Sequence, residues 1–484
     1  MIGIVLTALL AAGTISARAD PVPDEPPGRK FLSEAALEQA VLRGEVQGRA
    51  PRGAEESGHD RRFARTALEI AGFQFLLNRF DSRFIGSEYD VSLASIRRNL
   101  HSSWTVDHDP FRVNQLGHPY QGSVYYGLAR SNGFNFWESF GFAFAGSALW
   151  EIAGETTPPS KNDQITTSIG GTFLGESLFR MARLMLERGS VLPPRWRELA
   201  AAAISPPLGF HRAIERERLA ADFISNSPAI YSRLQAGFSG TLKSHVGRSL
   251  SVKENEAALD FSLDYGLPGK PGYQYRRPFD YFSFQLRASS AGGVESLTDR
   301  GLIIGSSYEA GPALRGIWGL YGSFDYLAPQ TFRISSTALS LGSTAQLWLS
   351  RSVALQVHGS AGVGYTSTGT IRSSADRDYN YGFAPQALLA MRLVLGNVAS
   401  FDVTAREYFA GRLARSDTGG TDHVLRGEAA LTVRLRRNHA IALKYITSRR
   451  NASFADLGSQ SQRQDMLGIY YTFQPADGFG AVRW

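Results

Sequence analysis

The stretch Ala258-Leu259-Asp260-Phe261-Ser262-Leu263-Asp264-Tyr265 alternates between polar and apolar side chains, and Asp280-Tyr281-Phe282-Ser283-Phe284-Gln285-Leu286-Arg287 repeats the pattern. Successive side chains of a strand point to opposite faces, so each stretch predicts a β-strand with one apolar and one polar face. Similar runs lie near residues 231–242, 300–310, 314–327, 336–349, 352–366, 383–395, 399–412, 425–436, 439–449 and 464–474. The C-terminal half therefore consists of about twelve predicted strands, an even number as bacterial barrels have.

The connections between these runs differ in length. The turn Arg436-Arg437-Asn438-His439 is short, whereas residues 367–379 and 413–423 form long connections. Transmembrane barrels have short periplasmic turns and longer external loops. The predicted fold class is α+β, with an N-terminal α-helical domain followed by a C-terminal antiparallel transmembrane β-barrel of about 12 strands. A soluble β-sandwich or a large lipocalin-like barrel is the alternative.

The composition narrows the class of protein. The chain has 484 residues, with 50 Gly, 11% aromatic residues and no Cys. Without Cys, a disulfide framework, a thiolate zinc site and a cysteine nucleophile are excluded. The mean hydropathy is −0.18, and no uncharged apolar run of helix-spanning length follows the N-terminus, which argues against a polytopic helical membrane protein.

The net charge of +7 comes mostly from Arg. Arg binds phosphate in bidentate fashion, so outer membrane lipid and lipopolysaccharide are expected partners, with a compositional bias of the genome as the alternative reason for the charge. No basic patch is interleaved with aromatic residues as in a nucleic-acid-binding module. Nucleic acid is therefore not an expected partner.

The last predicted strand contains Gly468-Ile469-Tyr470-Tyr471-Thr472-Phe473, a glycine followed by aromatic residues three and five positions later. This pattern resembles the C-terminal signal that the barrel-assembly machinery reads. It departs from that signal because eleven residues follow Phe473, as far as Trp484, and because Met466 stands where a polar residue is usual.

The N-terminus predicts export. Residues Ile2 to Ile15 are almost all apolar or small, and Ala17-Arg18-Ala19 fits an A-x-A cleavage site. The predicted organisation is a signal peptide at 1–19, a flexible linker at 20–60, a helical domain at 61–228, a barrel at 229–475 and a tail at 476–484. The predicted location is the cell outer membrane.

The helical region centres on a predicted hairpin of Phe134 to Ala153 and Thr166 to Arg188, joined by a loop from Thr156 to Asp163. Glycine weakens a helix, so Gly170, Gly171 and Gly175 indicate close approach to another element. We expect this domain either to hang in the periplasm or to fold into the barrel lumen as a plug.

Polar residues of this region form a candidate site. Glu151 and Glu155 are four residues apart and share a helix face, where two carboxylates repel unless a proton, a cation or an Arg lies between them. With His118 and Asp163 they supply ligand types that suit a divalent cation, and His118, Glu151 and Glu155 are the metal candidates. Side chains of the same types act as general acid and general base in hydrolysis. Ser160 and Ser139 are alternative candidate nucleophiles, and neither lies in a G-x-S-x-G motif.

The structural alternative is a buried polar network that fixes the hairpin. Its predicted members are Asn114, Tyr125, Arg130, Glu138, Asn162 and Arg180. Asn162 or Asp163 would cap the second helix. Arg130 and Arg180 would pair with Glu138, Glu151 or Glu155. No cofactor is identified from the sequence beyond the divalent cation.

The phrases Asn114-Gln115-Leu116-Gly117-His118-Pro119-Tyr120-Gln121-Gly122, Ala129-Arg130-Ser131-Asn132-Gly133, Gly146-Ser147 with Trp150-Glu151, and Ser160 with Asn162-Asp163 resemble a family of exported bacterial proteins, the domain of unknown function 3943. The resemblance covers about residues 65 to 195 and implies no activity, cofactor or substrate. More loosely, the polar pattern from His118 to Gly175 resembles VanZ-like membrane proteins.

Three functions follow as hypotheses. The first is a non-enzymatic outer-membrane barrel with an envelope or transport role. The second is an envelope hydrolase or metal-dependent enzyme acting on a lipid or cell-wall substrate through His118, Glu151, Glu155 and Asp163. The third is a soluble periplasmic binding protein. The arrangement of these residues separates the first two hypotheses, because a catalytic cluster needs an open cavity beside it.

Overall fold

The computed structural model describes residues 52–107, 109–186, 193–214, 227–245, 254–369, 377, 379–411, 420–454, 458–474 and 477–484. The predicted signal peptide and most of the predicted linker lie outside the described residues. The helices are α1 (Arg52–Phe84), α2 (Leu93–His101), α3 (His118–Ser131), α4 (Phe136–Ala153), α5 (Lys161–Ile165), α6 (Gly171–Leu186), α7 (Pro194–Ile204) and α8 (Pro206–Ile214). Single π-helical turns precede α3 at Val113–Gly117 and α6 at Thr166–Gly170.

The strands are β1 (Ile230–His245), β2 (Asn255–Tyr265), β3 (Phe282–Ser289), β4 (Gly293–Ala310), β5 (Leu314–Leu327), β6 (Ile334–Trp348), β7 (Val353–Gly369), β8 (Tyr379–Leu395), β9 (Ala399–Gly411), β10 (Gly420–Arg436), β11 (His439–Phe454) and β12 (Gly458–Phe473). Each pairs antiparallel with its neighbours in sequence, and β1 pairs with β12 to close a barrel. The predicted fold class and strand number are confirmed. Strand β1 begins and strand β12 ends at the barrel rim that carries most of the short turns. This rim is called the turn end, and the opposite rim is called the loop end.

Cross-barrel contacts show which side chains face the lumen. The Tyr408 hydroxyl of β9 donates to Asp325 Oδ2 of β5 at 2.9 Å, although three strands lie between β5 and β9 along the barrel wall. Asp325 therefore points into the lumen, and its neighbours Phe324 and Tyr326 point outward because strand side chains alternate. Asp299 of β4 pairs with Phe324 and so faces outward as well.

The uncovered exterior of the barrel is an apolar belt. Its outward-facing, exposed side chains include Phe238, Ile304, Trp318, Leu341, Leu389, Phe401, Leu431, Leu443 and Ile469. An apolar exterior around a polar interior is what a barrel in lipid requires. The structure therefore confirms the transmembrane form of the barrel and argues against the soluble alternatives.

The helical domain lies against the outer wall of the barrel. Outward-facing Phe284, Phe324 and Tyr326 are buried in one apolar cluster with Phe173 and Phe179 of α6. The Ser177 hydroxyl of the same helix donates to Asp299 Oδ1 at 2.7 Å. The predicted lumen plug is therefore wrong, and the domain runs along the wall rather than hanging below it.

Contacts at both rims fix the domain along this wall. At the loop end, Arg112 donates to the Gly292 carbonyl at 2.9 Å, and Arg377 forms an ion pair with Asp109 at 3.0 Å. Towards the turn end, Arg180 pairs at 3.1 Å with Asp280, which lies in the β2–β3 connection. The domain thus extends across much of the height of the wall.

The C-terminal tail enters the turn end of the lumen. Gln346 of β6 donates to the Val482 carbonyl at 2.6 Å, and Gln356 of β7 donates to the Gly480 carbonyl at 2.8 Å. Phe479 is fully buried beside Ala354. The residues after the last strand, which the sequence showed only as a tail, thus partly fill the barrel.

Several predicted boundaries of the helical domain need correction. Residues 52–60, predicted as linker, belong to α1, which is one long helix rather than several short ones. The loop predicted to end at Asp163 ends at Ser160, where α5 begins. Among the described residues, no helix combines the length and the hydropathy of a membrane-spanning helix.

The α3–α6 crossing depends on a glycine, which gives a testable prediction. A Cβ at Gly122 would lie 1.8 Å from the Thr167 carbonyl oxygen, whereas a Cβ at Gly141 would have no atom within 4 Å. Gly122→Ala should destabilise the domain by about 1–3 kcal/mol, as overpacking does. Gly141→Ala should be neutral or stabilise it by about 0.5–1 kcal/mol. Denaturation followed by far-ultraviolet circular dichroism measures both, and equal effects would contradict the close crossing.

Candidate functional site

The residues of the candidate site meet where α4 ends and α5 begins. Ser160 is the N-cap of α5, and its side chain accepts a hydrogen bond from the Asp163 backbone nitrogen at 3.2 Å. The prediction that Asn162 or Asp163 caps the helix is therefore wrong. A serine suits the position because its oxygen satisfies a backbone N–H that has no partner within the helix.

The Glu151 carboxylate faces this cap. Its Oε2 accepts a hydrogen bond from the Ser160 backbone nitrogen at 2.8 Å. The Ser160 hydroxyl donates to Asn162 Oδ1 at 2.9 Å, and Asn162 Nδ2 donates to Asp163 Oδ1 at 3.0 Å. All four side chains are buried. With its hydroxyl committed to Asn162 and no base paired to it among the described residues, Ser160 lacks the geometry of an activated nucleophile.

Glu155 and His118 complete the cluster without direct hydrogen bonds to it. Glu155 accepts from the Trp150 indole at 2.7 Å and from the Thr157 hydroxyl at 3.1 Å. His118 is buried at the start of α3, and its Nδ1 has no hydrogen-bond partner among the described residues. Within that part of the chain, no group of three or more His, Asp or Glu side chains is arranged to hold a metal ion.

Burial alters the proton affinity of the acids. Burial raises the pKa of Glu151 well above its usual range, and the neighbouring Asp163 and Glu155 charges add to the increase. Burial raises the pKa of Asp163 to about 7, against the opposing effects of His118 and the Ser160 hydrogen bond. Burial likewise raises the pKa of Glu155. At neutral pH the cluster therefore retains protons that exposed carboxyl groups would lose.

The cluster is tied to the barrel by two tyrosines that sequence reasoning missed. Asn114 Nδ2 donates to the Tyr379 hydroxyl at 2.9 Å, and Asn162 Nδ2 and Gln115 Nε2 donate to the Tyr381 hydroxyl at 2.8 Å each. Both tyrosines lie on β8 and face outward. Tyr379 ends the predicted connection 367–379, and Tyr381 lies before the predicted strand near 383–395, so no pattern in the sequence indicated that either residue faces the helical domain.

A second buried centre surrounds Glu176 of α6. Its carboxylate accepts from Arg130 Nε at 2.8 Å, from Arg180 Nε at 2.7 Å and from the Tyr126 hydroxyl at 2.7 Å. The predicted pairing of the two arginines with Glu138, Glu151 or Glu155 is therefore wrong. The two arginines hold the pKa of Glu176 below its usual value despite its burial.

The other predicted network members have simpler roles. Tyr125 is fully buried, and its hydroxyl accepts a hydrogen bond from Gln121. Glu138 is exposed and forms a capping box with Asn135 at the start of α4, where its carboxylate accepts from the Asn135 backbone nitrogen at 2.8 Å. Glu138 thus stabilises a helix end and lies outside the buried network.

Residues 103–207 match the profile of a domain of unknown function, DUF3943. This confirms the resemblance seen in the sequence over the part of the chain that carries both polar centres. The looser similarity to VanZ-like proteins remains a resemblance of sequence pattern. No curated protein matches the chain.

Solved structures similar to the chain are outer-membrane barrels. An outer membrane channel from Pseudomonas putida F1 is 11% identical, with 53% of this chain and 100% of that chain covered and a TM-score of 0.29. The outer membrane channel DcaP of Acinetobacter baumannii is 9% identical, with 52% and 99% covered and a TM-score of 0.25. The NanC porin is 6% identical, with 49% and 98% covered and a TM-score of 0.26. Because these values are low, the barrel assignment rests on the strand pairing itself.

Removal of the Glu176 charge tests the second centre. Glu176→Gln should destabilise the helical domain by about 3–5 kcal/mol, because it leaves buried guanidinium groups without their carboxylate. Glu138→Gln is the matched control at an exposed site and should cost less than about 1 kcal/mol. Chemical denaturation followed by the helical circular dichroism signal compares them. Similar losses in both variants would contradict the buried network.

The acid cluster predicts a pH dependence of stability. Because folding raises the pKa of Asp163, its contribution to stability is present at acidic pH and is lost as the pH rises through about 7. The thermal midpoint of the helical domain should therefore fall as the pH rises from about 4 to about 7, with little further loss above that range. Asp163→Asn, which stays neutral, should reduce that fall. An unchanged pH slope in the variant would show that Asp163 does not keep its proton.

Proposed function

We propose that the protein is a non-enzymatic transport protein of the outer membrane, a narrow channel for small anionic solutes that is closed at rest. The observation that carries the proposal is the arrangement of arginines in the lumen of the closed barrel. Rings of Arg or Lys side chains are how pores select anions.

Part of the lumen is closed by ion pairs between distant strands. Arg233 of β1 pairs with Asp402 of β9 at 3.0 Å. Arg392 of β8 pairs with the same Asp402 at 2.7 Å and with Asp264 of β2 at 3.1 Å. These side chains cross the lumen and narrow it, and a rearrangement of ion pairs would widen it.

Two further lumen arginines have looser contacts with carboxylates among the described residues. Arg406 donates to the neutral oxygens of Gln285 and Thr298 at 3.1 Å each. Arg300 lies 3.6 Å from Asp325. A cavity of about 100 Å³ is lined by both arginines together with Arg233, Arg392, Asp264 and Asp402. With four guanidinium groups and two carboxylates among its described lining residues, this chamber favours a small anion.

The C-terminal tail is the proposed barrier at the turn end. Its hydrogen bonds to Gln346 and Gln356 and the burial of Phe479 hold it inside the lumen. A few such hydrogen bonds are enough to hold the tail in a narrow pore. Each contributes so little net free energy that the tail can be released. The tail would thus control access from the periplasm.

We assign the cluster of His118, Glu151, Glu155, Ser160 and Asp163 a structural role. Its polar atoms bond mainly to each other and to backbone groups, and Asn162 links it to the barrel wall. A catalytic site needs an accessible position for substrate beside the reacting groups, and these side chains are largely buried. The divalent cation stays a prediction without a ligand set among the described residues.

We also propose that the barrel-assembly machinery reads β12. Tyr471 and Phe473 share the outward face of that strand, and Ile469 and Tyr471 are exposed. Lipopolysaccharide is the proposed partner at the loop end, where the Arg-rich sequence would meet phosphate groups.

Conductance in planar bilayers tests the channel. Removal of residues 477–484 should raise the conductance several-fold, and the open channel should prefer chloride over potassium in a salt gradient. Arg406→Gln in the shortened chain should reduce that preference, because it removes a lumen charge. Arg351→Gln, at an exposed turn position, is the matched control and should leave the preference unchanged.

Two outcomes would contradict the proposal. A shortened chain that inserts but conducts no better than the full chain would show that the tail is not the barrier. A cation preference, or the same reversal potential in the Arg406 and Arg351 variants, would show that the lumen arginines do not select the solute.

A further inference from the structure

We propose that the helical domain lies within the hydrocarbon layer of the membrane beside the barrel, and that the outer faces of α1 and α4 contact lipid acyl chains. The occupant of this surface is lipid rather than a second protein. The proposal is independent of whether the barrel conducts, since it concerns only where the domain stands.

The place of β3 in the barrel wall puts the domain at membrane depth. This strand has 8 residues and is paired along its whole length with β2 and β4. Because the strands of a transmembrane barrel cross the hydrocarbon layer, β3 belongs to the wall that lipid would surround. Its outward-facing Phe282 and Phe284 are buried in the same cluster as Phe173 and Phe179 of α6. The helical domain thus stands where lipid would otherwise cover β3.

The outer face of α1 is apolar over several turns. Between Phe63 and Leu76 its exposed positions are Phe63, Ala64, Ala67, Leu68, Ala71, Gly72, Phe75 and Leu76, with no charged residue among them. Leu68 is 72% exposed and Phe75 is 64% exposed. In a water-soluble domain an amphipathic helix turns such a face inward.

The inner face of α1 carries the polar residues instead. Gln74 is buried and donates to the Gly146 carbonyl at 2.6 Å. Asn78 is buried and donates to the carbonyls of Tyr89 and Gly154 at 2.8 and 2.9 Å. A lipid solvent favours a helix whose polar groups are hydrogen-bonded on the inner face and whose apolar groups lie on the outer face.

Helix α4 has the same inverted pattern. Ser139, Ser147 and Glu151 are buried on its inner side. Phe144 and Leu149 are exposed on its outer side. Two neighbouring helices with the same inversion form one continuous apolar surface, larger than scattered surface residues would give.

Charged residues of α1 lie on either side of the apolar stretch from Phe63 to Leu76. Arg62 and Arg79 are exposed and are seventeen residues apart, which corresponds to about 25 Å along a helix. That length is close to the thickness of the hydrocarbon layer, about 30 Å. Long arginine side chains at such positions reach the polar interface.

Continuity with the barrel belt identifies the occupant as lipid. On β5, Trp318 is exposed to the surroundings of the barrel, whereas Phe324 and Tyr326 on the same face of the same strand are covered by the helical domain. The outer face of this one strand therefore contacts lipid at Trp318 and the helical domain at Phe324 and Tyr326. The outer faces of α1 and α4 continue that surface outward.

Spin-label accessibility tests the proposal, and the absence of cysteine makes single labels simple. The full chain, reconstituted in phosphatidylcholine–phosphatidylglycerol vesicles, would carry a nitroxide at Ala71→Cys or Ala145→Cys, both exposed positions of the outer faces. Leu443→Cys on the barrel belt is the lipid control, and Arg351→Cys at a turn is the water control. Boiling-dependent gel mobility confirms that each labelled barrel has folded.

We expect the labels at positions 71 and 145 to match the Leu443 control. Oxygen should broaden the electron paramagnetic resonance lines of the nitroxides strongly, and a water-soluble nickel chelate should broaden them weakly. Access of the nickel chelate equal to that at Arg351 would overturn the proposal and place the domain in water. Poor access of both reagents would overturn it differently, because the face would then be covered by protein.

Discussion

The strict alternation of side chains along twelve closed strands is the constraint on which the rest of the structure depends. Because each strand places successive residues on opposite faces, the barrel acquires a charged interior and an apolar exterior at once. Tyr408 and Asp325 meet across the lumen, and Phe324, one position away, faces outward. A shift of one residue would place the charges in the apolar surroundings.

The same exterior that suits lipid also binds the helical domain. Apolar residues of β2 to β5 pack against α6, and within this interface the Ser177 hydroxyl donates to a carboxylate oxygen of Asp299. The acid cluster and the Glu176 centre then hold the helices against one another behind this contact. In this account the polar residues of the domain are structural, because unsatisfied polar groups beside an apolar wall are costly.

The sequence predicted the strands well and the placement of the helical domain poorly. The run predicted at 314–327 coincides with β5, because the period of two is a local property that each strand displays by itself. The position of the domain depends instead on which neighbour covers outward residues such as Phe284, and an aromatic residue has the same pattern against lipid as against a helix. The predicted partners of the arginines were wrong for a related reason. Arg130 and Glu176 are 46 residues apart, and nothing in the local sequence distinguishes Glu176 from the acidic residues of α4.

Cross-linking of two introduced cysteines tests most directly whether the helical domain lies outside the barrel. The chain has no native cysteine, so Ser177→Cys can be combined with Asp299→Cys on the outer face or with Arg300→Cys on the lumen face. A short bismethanethiosulfonate reagent should join 177 to 299 within one chain and leave 177 and 300 unlinked. Efficient linkage of 177 to 300, with little linkage to 299, would place α6 in the lumen and contradict the account.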